Sequence, residues 1–214
     1  MACQVLVISP HPDDEAIGCG GSLRRHVVDG DRVEILFLTS GEKGGHGRDC
    51  DDTRRIREAE AQAAASIIGV HKIAFWRERD GCLWARRNLI ERLATTIDSV
   101  RPDLIYVPNA LESHSDHRAA ARLVRAARMH SIIKPLVLMF EVWTPLTNID
   151  VVVDISRYVD EKLAAIRAYE SQCEVLHFDE AMLGLARYRG EMFCWPKSEE
   201  GEGRYAEVFR KLIP

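Results

Sequence analysis

The chain has 214 residues, of which 46% are hydrophobic, 29% charged and 7% aromatic. This composition excludes disordered, collagen-like and low-complexity proteins. The 29 basic and 33 acidic residues give a formal net charge of −4, which argues against a protein dedicated to nucleic-acid binding. No apolar run approaches the ~18 residues of a membrane span, so we expect no integral membrane segment and a cytoplasmic location.

The length predicts one domain over residues 1–214, since domains commonly hold about 100–200 residues. The six cysteines are far apart in the sequence, and none forms a C-x-x-C pair. That spacing argues against a zinc ribbon or a thioredoxin-like redox site and fits reduced thiols in the cytoplasm.

Short apolar runs alternate with helical patterns along most of the chain. In chain order, the predicted elements are the strand Gln4–Ile8, the helix Ser22–Val28, the strand Val33–Leu38, a loop over 41–53, the helix Thr53–Ile68, the strand Lys72–Trp76, the helix Leu89–Val100, the strand Leu104–Val107, the helix Asp116–Met129, the strands Leu136–Glu141 and Val151–Ile155, and the helix Val159–Ser171. Residues 179–214 show a less regular pattern. The alternation predicts an α/β, Rossmann-like layered fold whose central sheet is mostly parallel and flanked by helices.

Ligands of such sheets bind outside the carboxyl ends of the strands. The loop after the first predicted strand places His11, Asp13, Asp14 and Glu15 within five positions, beside two prolines. Adjacent carboxylates repel one another, and a bound cation would relieve that repulsion with His11 as a nitrogen ligand. The alternative is a solvated acidic turn that caps a helix, because Asp and Glu favour helix N-termini.

A second polar loop follows the predicted strand Leu104–Val107 and contains His114, Asp116 and His117. Its alternative explanation is a capped helix start with incidental histidines. Because both loops follow strands of one parallel sheet, we expect the fold to bring them together. The joint site would offer two histidines and one aspartate, and three protein ligands with an open position are typical of catalytic zinc.

The polar groups left over suit the hydrolysis of an amide. A carboxylate beside an activated water can act as a general base, and a second histidine can stabilise an oxyanion or protonate a leaving amine. Asp116 is a candidate for orienting a histidine from beyond the ligands.

The run from Pro10 to Glu15, P-H-P-D-D-E, resembles the signature of the LmbE-like, or PIG-L, de-N-acetylase family. The residues from His114 to His117 are similar to the family's H-x-D-H motif. Weaker family-like features extend over nearly the whole chain: Gly18–Gly21, Thr39–Glu42, Arg57 with Glu60, Asp80 with Gly81 and Leu83, Lys162, Tyr169, Ser171 with Gln172, and Ala206 with Glu207.

The resemblance implies a hydrolase that removes the N-acetyl group from an N-acetylglucosamine-containing small molecule or glycoconjugate. The implied cofactor is a divalent metal, usually zinc, with Fe²⁺ as another candidate. By motif position, the implied metal ligands are His11, Asp14 and His117. The resemblance further implies that Asp13 is the general base for a metal-bound water and that His114, tuned by Asp116, stabilises the oxyanion.

Two further residues match positions that hold sugar hydroxyls in some relatives, namely Arg57 and Asp80. For Arg57 the alternative is an i, i+3 ion pair with Glu60, worth only ~0.2–0.5 kcal/mol. Glu112 departs from the family pattern, because some relatives carry an oxyanion-donating tyrosine there. Either His114 and the metal suffice, or Glu112 binds a cationic or hydroxylated part of the substrate.

Three features keep alternatives open. The loop 43–52 is either a mobile lid that adds a contact from His46 or an ordinary surface loop. Trp143 either stacks on a sugar ring or packs in the core. The glycines of Gly18–Gly21 either let a helix pack close to the sheet or form a cofactor-binding loop.

Other functions compete with the deacetylase. A zinc amidase that cleaves a larger acyl group or a sugar-linked amide would use the same metal chemistry. A non-catalytic relative is disfavoured, because such relatives commonly lose a ligand or the base. The identity of the sugar and the oligomeric state are open, although members of the family that the chain resembles often form homo-oligomers.

Overall fold

The structure, a computed structural model, describes residues 2–195 and 203–213. Within these ranges the strands are β1 (Gln4–Ser9), β2 (Arg32–Thr39), β3 (Lys72–Glu78), β4 (Leu104–Pro108), β5 (Leu136–Phe140), β6 (Val151–Asp154) and β7 (Ala206–Lys211). The helices are α1 (Asp14–Val28), α2 (Cys50–Ile68), α3 (Arg87–Val100), α4 (Ser115–His130), α5 (Val159–Arg167), α6 (Glu170–Cys173) and α7 (Phe178–Phe193).

The strands form one sheet in the order β3-β2-β1-β4-β5-β7-β6. β1 pairs in parallel with β2 and β4, and the parallel pairing continues to β3 on one side and β5 on the other. β7 lies between β5 and β6 and is antiparallel to both. The α/β, mostly parallel fold predicted from the sequence is therefore confirmed.

Side chains from the two faces of the sheet enter two separate cores. Val5 and Val7 of β1 pack on one face in a cluster with residues of α1, α2 and α5. Leu6 and Ile8 point the opposite way, into a cluster with residues of α3 and α4. This period of two explains why β1 is apolar at consecutive positions, since both of its faces are covered by helices.

The glycines of the Gly18–Gly21 motif lie inside α1, where they permit close packing. A Cβ at Gly18 would come within 2.0 Å of the Phe140 ring, and one at Gly21 within 2.8 Å of Ile155. Real Cβ atoms do not approach other atoms so closely, so both positions require glycine. The contacts support the packing explanation of this motif over the cofactor-binding loop.

A buried ion pair joins α5 and β7 to the backbone of α1. Lys162 Nζ lies 2.6 Å from Glu207 Oε1 and also donates to the carbonyl oxygens of Ala16 and Ile17. Glu207 accepts from the backbone N–H groups of Gly21 and Ser22. The two charged side chains thus bind backbone groups of α1 that face the sheet's antiparallel edge.

Several predicted boundaries are corrected by the structure. α1 begins eight residues before the predicted Ser22, directly at the end of the acidic motif. The predicted helix Val159–Ser171 is divided, because the backbone leaves helical conformation at Tyr169 between α5 and α6. The supposedly irregular tail contains α7 and β7, while residues 196–202 and 214 lie outside the described part.

Among residues 2–195 and 203–213, we find no helix that combines the length and the apolar character needed to cross a membrane.

Candidate active site

The loops that follow β1 and β4 meet at the carboxyl edge of the sheet, since these two strands are parallel neighbours. The ring centroids of His11, His114 and His117 lie 4.8 to 5.4 Å apart. His11 comes from the turn before α1, and the other two lie at the N-terminal end of α4. The predicted juxtaposition of residues about 100 positions apart in the chain is therefore present.

Asp14 lies between two of these histidines. Its Oδ2 is 3.2 Å from His11 Nδ1, and its Oδ1 is 3.2 Å from His117 Nε2. Burial would raise the pKa of Asp14, but the adjacent His117 and His11 hold that pKa far below its usual range. The carboxylate is therefore charged, as a carboxylate that binds a metal must be. It lies between two imidazole rings.

His117 is fully buried, and neither of its ring nitrogens makes a well-oriented hydrogen bond. Burial alone would lower its pKa, but Asp14 raises the pKa to about 9. A divalent cation would take the place of that proton, because ligation requires the neutral imidazole. Ring nitrogens of His11, His114 and His117 lie within 4.8 Å of one another, and imidazole with carboxylate suits zinc.

Two further carboxylates contact the other side of His11. Its Nε2 lies 3.1 Å from Asp80 Oδ1 and 3.4 Å from Asp116 Oδ2. Asp116 in turn accepts from the backbone N–H groups of Gly81 and Leu83. Asp116 therefore orients His11 with its carboxylate, whereas its contact with a second histidine runs through its backbone N–H, 3.2 Å from His114 Nδ1.

Asp13 has an unusual backbone, with φ of 125° in the region that favours glycine. Such a conformation costs on the order of 1–3 kcal/mol and persists only where neighbours enforce it. Here Arg57 donates to Asp13 Oδ2 at 2.9 Å and to the carbonyl of Pro12, while the Asp13 N–H donates to Glu15 Oε2. Burial raises the pKa of Asp13 to about 7, although Arg57 opposes this.

Glu15, the last residue of the acidic motif, is buried beneath the site. It accepts a hydrogen bond from the hydroxyl of Tyr169, at the break between α5 and α6. Burial raises the pKa of Glu15 to about 8. Through its bond to the Asp13 N–H, this pair supports the backbone that presents the Asp13 carboxylate.

Arg57 is buried rather than projecting from the rim. Its guanidinium binds Asp13 and the carbonyls of Pro12 and Gly41, while Glu60 binds the backbone and hydroxyl of Ser171 instead. The ion pair between Arg57 and Glu60, which the sequence left open, is therefore not formed. Arg57 instead positions Asp13. Contact of Arg57 with a sugar stays a prediction.

Glu112 is buried and turns its carboxylate toward the protein. It accepts from the backbone N–H groups of Val142, Trp143 and Thr144, and its Oε2 lies 3.8 Å from His117 Nδ1. These contacts suit a residue that orients His117 and the loop after β5. The predicted contact of Glu112 with substrate finds no direct support in this arrangement.

A cavity of about 310 Å³ opens above these groups. His11, Asp13, Asp14, Arg57, Asp80 and His114 contribute its polar floor, and Lys43, Gly44 and His46 of the loop 43–52 border it. An apolar wall consists of Val142, Trp143, Val175, Leu176 and Phe178, with the rings of Trp143 and Phe178 5.6 Å apart. The cavity has the size and mixed lining typical of a small-molecule site.

The sequence analysis missed three residues of the apolar wall, Val175, Leu176 and Phe178. The sequence does contain a signal for a helix here: Phe178 and Met182 are four positions apart and follow the apolar pair Val175–Leu176. Arg189 of α7 fixes this side of the cavity. It forms a buried, two-nitrogen ion pair with Glu141, next to the loop that carries Val142 and Trp143.

Comparisons with known proteins identify the family of the chain. Residues 6–128 match the family model of PIG-L, described as GlcNAc-PI de-N-acetylase. The chain is 31% identical to the diacetylchitobiose deacetylase of Thermococcus kodakarensis, over 97% of this chain and 82% of that protein. It is 32% identical to the 1D-myo-inositol 2-acetamido-2-deoxy-alpha-D-glucopyranoside deacetylase of Thermobispora bispora, over 56% of this chain and 49% of that protein.

The fold is also similar to a solved structure, that of N,N'-diacetylchitobiose deacetylase from Pyrococcus horikoshii. The TM-score is 0.85 at 26% sequence identity, and the match covers 99% of this chain and 84% of that one.

Proposed function

Because this chain belongs to the PIG-L family of GlcNAc-PI de-N-acetylases, we propose that it is a zinc-dependent hydrolase. It removes the N-acetyl group from an N-acetylglucosamine-containing small molecule or glycoconjugate. The observation that carries this proposal is the approach of Asp14 to both His11 and His117 at the floor of a cavity that Asp13 also lines. Relatives that act on acetylated glucosaminides support the choice of substrate.

In this proposal His11, Asp14 and His117 hold the metal. The chemistry that a bound metal would supply is a lower pKa for a water molecule and polarisation of the acetamide carbonyl. Asp80 and Asp116 orient His11 through its other ring nitrogen, and Glu112 lies beside the second nitrogen of His117. Such carboxylate partners fix the ring orientation and increase the basicity of a ligating histidine.

Asp13 acts as the general base in the same proposal. Its carboxylate lines the cavity, and Arg57 occupies one of its oxygens. The other oxygen is left to accept the proton of the attacking water. The backbone contacts from Glu15 and Arg57 hold this group in place without a substrate present, which is the preorganisation that efficient proton transfer requires.

His114 is the candidate oxyanion donor. It is half-buried at the cavity, and burial together with His11 and His117 lowers its pKa. Its Nδ1 accepts the Asp116 N–H, so a neutral ring carries its proton on Nε2. That N–H can donate a hydrogen bond to the developing oxyanion, whereas the proton that Asp13 takes from the water is the one available to the leaving amine.

His114→Ala is expected to keep the metal and to lower kcat roughly 100- to 1,000-fold, the cost of one oxyanion donor. Steady-state kinetics and elemental analysis of the same sample measure both quantities. His130→Ala, at the far end of α4, is the matched control and should behave as wild type. A variant with full kcat would remove His114 from the mechanism.

The proposal is tested by metal analysis together with acetate release from a panel of N-acetylglucosaminides. We expect about one zinc per chain and release of acetate. Asp14→Ala should lose most of the metal, since it removes the carboxylate that both histidines share, whereas the exposed Asp29→Ala should retain it. Unchanged zinc content in Asp14→Ala would contradict the ligand assignment.

The same panel separates the competing amidase. Zinc without acetate release, followed by turnover of N-acyl analogues with longer chains, would favour a zinc amidase that cleaves a larger acyl or sugar-linked amide. Absence of metal after zinc is supplied would reject both hydrolases.

A further inference from the structure

Tyr169, Ser171 and Gln172 are among the weaker family-like features of the sequence, and none of them takes part in the proposed chemistry. They lie where α5 ends and α6 begins, and all three are buried. Buried polar side chains are nearly always hydrogen-bonded, so the partners of these three show what the segment does. We call these residues, together with Glu170, the 169–172 segment.

The hydroxyl of Tyr169 supports the backbone of Asp13 through Glu15. It donates to Glu15 Oε1, and Glu15 Oε2 accepts from the backbone N–H of Asp13 at 3.2 Å. The hydroxyl therefore fixes the orientation in which the second carboxylate oxygen faces Asp13. The backbone of Asp13 has φ of 125°, and a conformation of this kind persists only where neighbours enforce it. Tyr169 thus helps to hold the turn that presents the Asp13 carboxylate to the cavity.

Ser171 connects the 169–172 segment to the helix that carries Arg57. Its N–H and its hydroxyl donate to the two carboxylate oxygens of Glu60 at 2.7 and 2.8 Å. Glu60 lies three positions after Arg57 on α2, and Arg57 donates to Asp13 Oδ2 at 2.9 Å. A second series of contacts therefore leads from the segment to Asp13, by way of α2.

Gln172 holds the loop that borders the cavity. Its Nε2 donates to the Gly44 carbonyl at 3.1 Å. That loop lies directly against the Arg57 guanidinium, because a Cβ at Gly44 would come within 2.6 Å of Arg57 Nη1. Gln172 and Gly44 both line the cavity, so their hydrogen bond sets the position of the cavity wall on the side of the loop.

The alternative is that the 169–172 segment only stabilises the fold. Tyr169 belongs to the apolar cluster that includes residues of α1, α2 and α5. Packing in that cluster needs the aromatic ring but not the hydroxyl group. The polar contacts of the segment, in contrast, end at the Asp13 turn, at the helix that carries Arg57 and at the loop around Gly44.

We propose that the 169–172 segment positions the reacting groups of the candidate active site. Tyr169 sets the orientation of the Asp13 carboxylate through Glu15, and Gln172 sets the cavity loop at Gly44. Both are positioning residues, since each acts through another group. This inference rests on the proposed deacetylase function, in which Asp13 is the general base.

Steady-state kinetics should distinguish Tyr169 from Gln172. Tyr169→Phe should lower kcat about 10- to 100-fold with zinc content and KM close to wild type, since a displacement of about 1 Å at a catalytic group can cost 100-fold. Gln172→Leu should act mainly on KM and raise it about fivefold, the equivalent of one hydrogen bond between neutral groups. Wild-type kcat in Tyr169→Phe would overturn the proposal.

Tyr106→Phe is the matched control for Tyr169→Phe. Tyr106 is buried in the same cluster, and its hydroxyl lies 3.1 Å from His26 Nε2. His26 is in the last turn of α1, at the opposite end of that helix from Asp13. Tyr106→Phe should lower the urea midpoint of unfolding as Tyr169→Phe does, but keep the kcat of wild type. Equal losses of kcat in the two variants would show a structural role alone and overturn the proposal.

Substitutions of Glu15 provide a rescue test. Glu15→Met removes the acceptor for the Asp13 N–H, whereas the amide of Glu15→Gln keeps an acceptor and can donate to the Tyr169 oxygen. Glu15→Gln should therefore recover most of the kcat that Glu15→Met loses. An equally low kcat in both variants would contradict positioning by hydrogen bonds.

Crystal structures supply a measurement that does not depend on turnover. In Glu15→Met the Asp13 backbone should leave the region around φ of 125°, and its carboxylate should move relative to wild type. An unchanged Asp13 turn would overturn the positioning proposal even if the wild-type protein releases acetate. If the turn moves as expected but the wild-type protein releases no acetate, the deacetylase proposal fails and the positioning of Asp13 stands.

Discussion

Asp13→Asn is expected to bind zinc normally and to lose roughly 100- to 10,000-fold in kcat, the usual contribution of a general base. The amide cannot accept the proton of the attacking water, but its oxygen can still accept from Arg57. Arg57 also keeps the carbonyls of Pro12 and Gly41 as partners, so we expect the loop to stay in place. Single-turnover acetate release and elemental analysis measure the two effects separately.

The control for this variant is Asp29→Asn, which makes the same chemical change at an exposed position after α1. It should differ from wild type by less than a factor of two in kcat. If Asp13→Asn kept wild-type turnover, the base would have to be another carboxylate at the site. Loss of zinc from Asp13→Asn would instead show that Asp13 belongs to the ligand set.

Lys162→Met is expected to destabilise the protein by about 3–5 kcal/mol, the cost of leaving one charge of a buried ion pair without its partner. Glu207 would then be buried with only the backbone N–H groups of Gly21 and Ser22 to stabilise its charge. The carbonyls of Ala16 and Ile17 would also lose their donor. Urea unfolding followed by circular dichroism measures the free energy of unfolding.

The double variant with Lys162→Met and Glu207→Gln should recover much of this loss, because it removes the unpaired charge and keeps an acceptor for α1. Arg87→Met is the surface control: its ion pair with Glu91 is exposed, so this variant should unfold with nearly the free energy of wild type. A loss below 1 kcal/mol in Lys162→Met would mean that water reaches Glu207 in the native state.

The motif residues show why part of the site could be predicted from sequence. The order of residues along the chain places His11, Asp13 and Asp14 directly after one buried strand. It places His114 and His117 in the loop after another. Parallel strands end at the same edge of a sheet, so the meeting of the two loops follows once the strands are recognised. β1, β2, β4 and β5 were recognisable because buried parallel strands contain continuous apolar runs.

Partners of the motif residues were much harder to infer. Arg57 binds Asp13 across 44 positions, and Tyr169 binds Glu15 across 154. Nothing local distinguishes Arg57 from a helix residue paired with Glu60. The partners of Glu112 were likewise not predictable, because only the folded chain places the N–H groups of the loop after β5 around its carboxylate.

The strand β7, which is antiparallel to both of its neighbours, was also beyond local patterns. β7 has six residues, three of them charged, and inserts between β5 and β6. Its Glu207 is buried because Lys162 and two backbone N–H groups of α1 meet it there. Such a strand is stabilised by contacts distant in sequence, so its own residues carry only a weak signal.

By itself, then, the sequence determined the α/β fold class, the parallel strands β1 to β5, and a cluster of histidines and carboxylates at their carboxyl ends. These features depend on short-range periodicity and on the geometry common to all parallel sheets. The tertiary structure alone decided which group each carboxylate faces, where β7 and α7 lie, and that the 169–172 segment contacts Glu15 and the loop at Gly44. Those outcomes depend on side chains brought together from distant positions, and no local pattern encodes their distances.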